Sequence, residues 1–453
     1  MGSFLKSFVP ESFLSFYHRA WAVLGASWYR YPSRRLTVIG ITGTNGKSSV
    51  VWILARILEG AGLRVAVSSS IEFQIADRHF PNEQKMTMPG RAFLQRFLRD
   101  AVAARCSHAI IEVTSEGIRQ HRHRGIDWDL AVIMNMSPEH IERHGSYEAY
   151  RAAKGELFAA LSRAEKVPPL TPLQTSVVNL GDREAPYFLS FPAKRRIGFR
   201  VEGVSPKEGG VSLSEVLIAE RPSATSEGIT FSLRGYECAS PLLGFFNIEN
   251  ALGAIAAAIA LGVPLETCVS VLRTIAAPPG RLEEIPNERG IRIFVDYAHN
   301  PDALTHVYET LHTTLRTPER PIANLTCILG AAGGGRDRWK RRELGKIAAH
   351  ACRYVIVTDE DPYDEDPSDI RRAVIEGVRS AGGESRLEEI PDRRLAIRRA
   401  IQTCGPGGTI VITGKGSEPW MMLRGGKRLL WDDRRIVHEE LEALERSERL
   451  ALE

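Results

Sequence analysis

The chain of 453 residues is poor in cysteine, nearly balanced in charge and without a long apolar run. Its six cysteines, Cys106, Cys238, Cys268, Cys327, Cys352 and Cys404, include no pair at C-x-x-C spacing, and several sit inside apolar stretches. That excludes a zinc ribbon or a disulfide frame and fits buried free thiols in a reducing compartment. Lys plus Arg number 59 against 55 Asp plus Glu, a net charge of +4. This is too even for a protein that grips nucleic acid by electrostatics, so no nucleic-acid partner is expected. Any anionic ligand must be held by a local set of donors. No internal repeat and no low-complexity tract occurs, and 43% hydrophobic with 25% charged residues excludes wholesale disorder.

Near the N-terminus the longest uncharged stretch, Ala20 to Tyr29, falls far short of the ~20 residues a membrane span needs. No small-residue cleavage site follows a clean apolar core, which argues against a signal peptide and for a cytoplasmic protein. Phe13, Tyr17, Trp21, Leu24 and Trp28 recur at helical spacing, interrupted by His18 and Arg19. One or two amphipathic helices are expected, packing on the body of the protein. The alternative is a peripheral membrane contact through residues 1–30, with the aromatic face in the interface.

From Leu36 onward apolar strands alternate with helical segments: strands at Leu36–Thr42, Arg64–Ser69, His108–Val113 and Leu130–Asn135, helices at Lys47–Glu59, Arg91–Ala104 and Tyr147–Leu161. Short apolar runs separated by helices favour parallel pairing, because parallel strands need crossover connections. Residues 165–240, richer in Pro, Gly and short alternating runs, suggest a small antiparallel insertion. After the helix Asn247–Leu261, Ala277-Pro278-Pro279-Gly280 reads as a linker, since Pro and Gly forbid continuing a helix. A second α/β series follows, with strands at Ile291–Asp296, Thr326–Leu329, Tyr354–Thr358 and Thr409–Thr413. The charged tail from His438 suggests a solvated helix. The expected organisation is an aromatic helical segment (1–35), a central P-loop domain with a parallel sheet (36–277) and a C-terminal Rossmann-like α/β domain (278–453).

The strongest signal is Gly40-Ile41-Thr42-Gly43-Thr44-Asn45-Gly46-Lys47-Ser48-Ser49, which follows an apolar strand and opens a helix. Glycines there let backbone N–H groups converge on phosphate oxygens, and the helix N-terminus adds about half a positive charge. Lys47 is placed to contact the outer phosphates and Ser48 to offer its hydroxyl oxygen to Mg²⁺. Ile41 stands where a strict P-loop has glycine. This variant resembles the ATP loop of the Mur ligases and their relatives, the folylpolyglutamate and cyanophycin synthetases, over nearly the whole chain after residue 36.

The resemblance implies further roles. Glu112 matches the glutamate that holds Mg²⁺ beside the P-loop serine, at a strand end where open α/β sheets place ligands. In Asn135-Met136-Ser137-Pro138-Glu139-His140, His140 matches a metal histidine, with His144 in support. Lys154, after Tyr150-Arg151-Ala152-Ala153, matches a lysine that the family carbamylates with CO₂. An ammonium has no acceptor and cannot ligate a cation, whereas a carbamate can. Ser48, Glu112, His140 and Lys154 would thus hold two Mg²⁺ ions, with Lys47, Glu112, His140 and Lys154 as the catalytic set. Gly43, Thr44, Asn45, Gly46, Lys47, Ser48 and Ser49, together with Asn247, Arg281 and Asp296, match nucleotide-contacting positions, and domain closure would complete the ATP site.

Three strings resemble the MurE type, which adds the third residue of the peptidoglycan stem. Thr87-Met88-Pro89, and Glu112-Val113-Thr114-Ser115 with Arg122, match segments holding the acceptor peptide, where an arginine suits a carboxylate. Thr358-Asp359-Glu360-Asp361-Pro362-Tyr363 aligns with the amino-acid-selecting loop, and Tyr363 replaces the arginine of enzymes that use meso-diaminopimelate. The acidic run favours a cationic side chain such as lysine or ornithine. Gly414-Lys415-Gly416-Ser417-Glu418 resembles a Gly-Lys-Gly-His-Glu motif, placing Gly414 and Glu418 at the amino acid, and Gly333-Gly334-Gly335-Arg336 presents Arg336 to it. Only about 35 residues precede the ATP strand, whereas MurE-type enzymes carry a UDP-binding domain of about a hundred residues there. UDP is then held differently, or the acceptor is lipid-linked or smaller.

The resemblance implies an ATP-dependent amide ligase acting, as a monomer, on a muramoyl-peptide-like acceptor and an amino acid. Folylpolyglutamate synthetases lack the N-terminal domain too, but their loop reads Gly-Lys-Gly-Ser where this one has Lys47-Ser48-Ser49. Lipid-II-modifying relatives carry a four-cysteine ribbon that is missing here. A non-catalytic membrane-tethered scaffold would have no reason to keep Lys47, Ser48, Glu112, His140 and Lys154 together.

Overall fold

The computed structural model describes residues 11–84, 86–90, 92–139, 144–315, 324–335 and 338–452. The chain divides into two compact units, one comprising essentially residues up to Ile275 and the other Ala276 onward, with the short stretches Ala224–Ile229 and Leu242–Phe246 belonging to the second.

The first unit is built on an eleven-stranded sheet: β1 (Thr37–Thr42), β2 (Val65–Ser68), β3 (Glu72–Ile75), β4 (Arg78–Pro81), β5 (His108–Glu112), β6 (Leu130–Ile133), β7 (Thr175–Asn179), β8 (Arg195–Val201), β9 (Glu215–Thr225), β10 (Gly228–Leu233) and β11 (Tyr236–Ser240). Its order is β11-β10-β9-β8-β7-β6-β1-β5-β2-β3-β4. From β9 across to β2 every pairing is parallel, and β3 and β4 add an antiparallel edge. β1, β5, β6 and β7 are almost wholly buried, as continuous apolar runs covered on both faces should be. β1 lies between β5 and β6, so the chain leaves β1 at the point where the strand order diverges. Ligands of open α/β sheets settle outside the carboxyl ends of the strands there.

One packing detail fixes what reaches that point. Gly40, in the middle of β1, faces Trp128 and Leu157, and a Cβ on residue 40 would lie 2.8 Å from Leu157 and 2.9 Å from the Trp128 ring. The missing side chain lets the helix Tyr147–Leu161 settle closely on the sheet. That helix starts where Ser146 Oγ accepts the amide of Ala149 at 3.1 Å, an N-cap that satisfies one orphan donor. Leu157, Phe158 and Leu161 form its buried stripe, and Lys154 shares it.

The helix Glu11–Trp28 joins the first unit by small residues: a Cβ on Gly25 would clash with Ala92, and one on Gly125 with Ala26. This helix packs on the body as expected, yet Phe16, Tyr17, Trp21 and Trp28 face solvent.

The second unit carries a six-stranded sheet of β12 (Glu283–Glu284), β13 (Arg292–Val295), β14 (Leu325–Leu329), β15 (Tyr354–Val357), β16 (Leu387–Glu389) and β17 (Thr409–Ile412), in the order β12-β13-β17-β14-β15-β16. All pairings but β12–β13 are parallel.

Two expectations need correction. Residues 165–240 are not a separate antiparallel insertion, because β7, β8 and the start of β9 extend the main sheet in parallel. Their Pro- and Gly-rich character belongs to the connections. The C-terminal helix begins at Asp433, ahead of the charged tail, and is anchored by buried Ile436, Val437 and Leu441. Asp433 itself forms a fully buried two-pronged ion pair with Arg393, at 2.8 and 2.7 Å.

His123 is buried beside Trp128, whose indole N–H donates to its carbonyl at 3.2 Å, and its Nδ1 has no hydrogen-bond partner among the described residues. Burial first, then Arg124, holds its pKa down to about 3. The folded state therefore keeps the ring neutral while the unfolded chain takes up a proton below about pH 6.5. Stability from this site is full above pH 6.5 and drains as pH falls toward 3. His123→Gln is expected to remove about 2 kcal/mol of the loss between pH 7 and pH 4.5, read by urea denaturation at both values. An unchanged acid slope would contradict it.

Candidate active site

The phosphate loop leaves β1 and is held from beside by the chain leaving β6. Thr44 N donates to Asn135 O at 2.9 Å and Asn45 N to Asn135 Oδ1 at 2.8 Å, while Asn135 Nδ2 returns a bond to Asn45 O. Thr44 Oγ1 donates to Ser137 O, accepts Ser137 N at 3.0 Å and lies 3.0 Å from the Tyr150 hydroxyl. Gly46 takes φ +81°, and a Cβ there would lie 2.3 Å from Asn250 Oδ1. Only glycine satisfies both demands. Asn250 in turn donates to Asn247 Oδ1 at 2.8 Å, so Asn247 stands at the back of the loop. The helix Lys47–Gly60 then starts with Lys47, Ser48 and Ser49 in its first turn, where its amides favour an anion.

Four sequence-predicted residues meet at this loop. Lys47 Nζ donates to Gly43 O at 3.1 Å and Thr44 O at 2.8 Å. Ser48 Oγ donates to Glu112 Oε1 at 3.2 Å, and Glu112, at the end of β5, is 2% exposed. Lys154 Nζ donates to Gly43 O at 2.6 Å and to Thr42 Oγ1 at 3.4 Å, and stands 4.8 Å over the Tyr150 ring. Burial holds its amine well below the usual lysine range. Lys47 pushes the same way, and Glu139 and Glu112 oppose. Ser70, which sequence reasoning missed, donates to Glu112 Oε2 from both its amide (2.8 Å) and its hydroxyl (3.1 Å), and that hydroxyl sits 2.7 Å from Ser48 Oγ. Ser70 stands two residues beyond the end of β2, which pairs with β5. Clustered hydroxyl and carboxylate oxygens of Ser48, Glu112 and Ser70 are the donor type a hard cation takes, so the residues fit Mg²⁺. His140 lies outside the described residues.

The acceptor candidates form a second cluster in the same unit. Thr114 caps the helix Ser115–Arg119, its Oγ1 accepting the amide of Gly117 at 3.1 Å. Arg122 donates to Met88 O and Gln120 Oε1, and thereby ties down the Thr87–Pro89 segment. Ser115 Oγ lies 3.1 Å from His144 Nε2.

In the second unit, Asp361 Oδ1 accepts from Lys415 Nζ (3.0 Å) and Met422 N (2.7 Å), and Lys415 also reaches Glu418 Oε2 at 2.7 Å. Glu418 Oε1 takes the Tyr297 hydroxyl at 3.0 Å. Glu360 is buried against Gly414, with Oε2 lacking a hydrogen-bond partner among the described residues. Burial, reinforced by Asp361, pushes its carboxyl up. Glu360, Asp361, Gly414 and Glu418 thus make one acidic cluster threaded by Lys415, a residue the sequence quoted but gave no role. Tyr363 sits by Gly334, at φ +53°. Arg336 lies outside the described residues. Asp296 accepts the amides of Leu282 and Ala298, each at 2.6 Å, and the Arg281 guanidinium stacks 4.3 Å from the Tyr297 ring centroid.

A parallel sheet that opens onto a phosphate loop, with a serine–carboxylate pair at the adjacent strand ends, defines an ATP-handling α/β enzyme. Residues 41–258 match the Mur ligase middle domain and residues 280–416 the glutamate ligase domain of Mur ligases. The chain is 33% identical over 428 residues to a UDP-N-acetylmuramyl-tripeptide synthetase of Roseiflexus sp. (strain RS-1), covering 91% of this chain and 80% of that protein. It is 31% identical to a UDP-N-acetylmuramoyl-L-alanyl-D-glutamate–2,6-diaminopimelate ligase of Geobacillus thermodenitrificans, covering 95% and 82%. A solved structure of a ligase of the latter name superposes with TM-score 0.59 at 30% identity, covering 90% of this chain and 79% of that one. A Mycobacterium tuberculosis folylpolyglutamate synthase shares the fold, with TM-score 0.64 at 19% identity over 87% and 92%. The chain belongs to the Mur ligase family and is an ATP-dependent, Mg²⁺-using amide-bond ligase.

Gly46→Ala is expected to weaken nucleotide binding by about tenfold or more, since both φ and Asn250 oppose a methyl group. Equilibrium dialysis against ATP reads this, and unaltered affinity would mean the loop accommodates the change.

Proposed function

We propose that this ligase adds an amino acid to a carboxylate of a muramoyl-peptide-like acceptor, as MurE-type enzymes do in building the peptidoglycan stem. The observation that carries the reading is the pairing, in one unit, of the phosphate loop with the Thr114–Met88–Arg122 cluster. An arginine oriented by its own hydrogen bonds is the natural grip for a peptide carboxylate.

The acceptor carboxylate attacks the γ-phosphorus of ATP, giving an acyl phosphate and ADP. The neutral amine of the amino acid then adds to that carbonyl, and the tetrahedral adduct loses phosphate and an amine proton, together hydrogen phosphate, to leave the amide. Such transfers depend on positioning and charge neutralisation. The loop amides and Lys47 draw on the outer phosphates. Ser48, Glu112, His140 and Lys154, the last as a carbamate, would hold two Mg²⁺ ions. When bound, these neutralise charge between the triphosphate and the anionic acceptor. The geometry behind the carbamate is that Lys154 is buried, aimed at the loop, and close to Lys47 and Glu112. A carbamate would turn a like-charge neighbour of Lys47 into an opposite one.

The amino acid we assign is a basic one, lysine or ornithine. Tyr363 offers no cation for a distal carboxylate, and the acidic run Asp359-Glu360-Asp361 ahead of it suits a cationic side chain.

With UDP-muramoyl-dipeptide as acceptor, phosphate release is expected with lysine or ornithine and not with meso-diaminopimelate. Tyr363→Arg is expected to bring in activity with meso-diaminopimelate. Activity of the unaltered enzyme with meso-diaminopimelate alone would overturn the assignment. Lys47→Ala and Lys154→Ala are each expected to lower amine-dependent ADP release by about 100-fold or more, without rescue by bicarbonate. Near-normal turnover of Lys154→Ala would sink the carbamate.

A further inference from the structure

The helix Glu11–Trp28 is held by one face and leaves the opposite face to solvent. Ala22, Gly25 and Ala26 meet the body, and Gly25 and Ala26 are buried. At 100° per residue the other side gathers Val23, Phe16, Ala20, Leu24, Tyr17, Trp28 and Trp21 into an arc of about 160°. Ser27 also falls within it, and no charged residue does. Phe16 is 69% exposed, Leu24 62% and Trp28 82%. Arg19 falls about 40° outside one edge of the arc, whereas His18 lies on the small-residue side that meets the body. In sequence, no Asp or Glu occurs between Glu11 and Glu59, while Arg19, Arg30, Arg34 and Arg35 do. Arg34 is engaged with Asp127 and Glu165, and Arg19, Arg30 and Arg35 are exposed.

We propose that this helix seats the enzyme on an anionic lipid bilayer, lying in the plane of the interface with Phe16, Trp21, Leu24 and Trp28 among the acyl-chain ends. The chemistry of the arc selects that occupant. Trp and Tyr rings combine an apolar body with a polar tip and favour the headgroup boundary. Arg19 beside one edge and Arg30 just past the end of the helix, with no acid between Glu11 and Glu59, complement phosphate headgroups. The small-residue face fixes the roll of the helix, so docking needs no rearrangement of the body. No helix of the described residues is long and apolar enough to cross the membrane, so the contact is peripheral.

The test uses the full chain and vesicles, and it reads no catalysis, so it stands apart from the proposed reaction. The unaltered protein is expected to float with phosphatidylglycerol-containing vesicles and to be released by high salt, and not to float with pure phosphatidylcholine. Trp21→Ser/Leu24→Ser/Trp28→Ser is expected to lower the bound fraction by about tenfold or more, with melting temperature and ATP binding unchanged. Arg19→Glu/Arg30→Glu is expected to abolish the preference for the anionic lipid. The proposal fails if the unaltered protein ignores anionic vesicles, or if the triple variant floats equally well. It also fails if the triple variant instead converts a dimer to a monomer in sedimentation, which would make a second copy the occupant.

Discussion

Two amines share one carbonyl at the centre of this enzyme. Lys47 and Lys154, from different helices, both donate to the oxygen of Gly43, and one of them is cut off from water. Two ammonium groups so close, in a site with little solvent, repel each other strongly. The surroundings answer by disfavouring the charged form of the buried amine. The arrangement is at ease only when negative charge is supplied, either by phosphate oxygens at the loop or by chemistry on the lysine itself. The neighbouring contacts serve to keep that tension in place: the Asn45–Asn135 exchange, the Thr44–Tyr150 contact and the close seating of the helix Tyr147–Leu161.

The second unit shows a different use of charge. Lys415 threads between Asp361 and Glu418, and Arg393 is spent on Asp433, so its two most buried cations are engaged. Glu360 is left with an oxygen that no described neighbour satisfies. Buried polar atoms are nearly always paired, and one that is not points to a function or a missing partner.

The parallel core was legible because continuous apolar runs separated by amphipathic helices admit few other architectures, and Tyr147–Leu161 begins and ends where its pattern says. The edge was not legible. The hairpin of β3 and β4 has a short β4 that is exposed throughout, and β7 to β9 are spaced by loops whose Pro and Gly content imitates an insertion. In the site, Lys47, Ser48, Glu112 and Lys154 could be found from a motif and from strand ends, and they come together. Ser70 could not, because a lone serine after a four-residue strand carries no pattern until β2 is known to lie beside β5. Nor does sequence show that Lys415 is the pivot of the acidic cluster, since it joins acceptors in its own segment, Glu418 and the Trp420 carbonyl, to Asp361, which lies 54 residues away in the chain.

The void at residue 40 has a consequence for how this chain can vary. The reach of Lys154 is set less than one helical turn away, by a strand position with no side chain pressed against Trp128 and Leu157. A methyl group at 40 has room only if the indole or the leucine is trimmed in the same step. These three positions are therefore bound to drift as a set or not at all, even though none of them is among the proposed site residues.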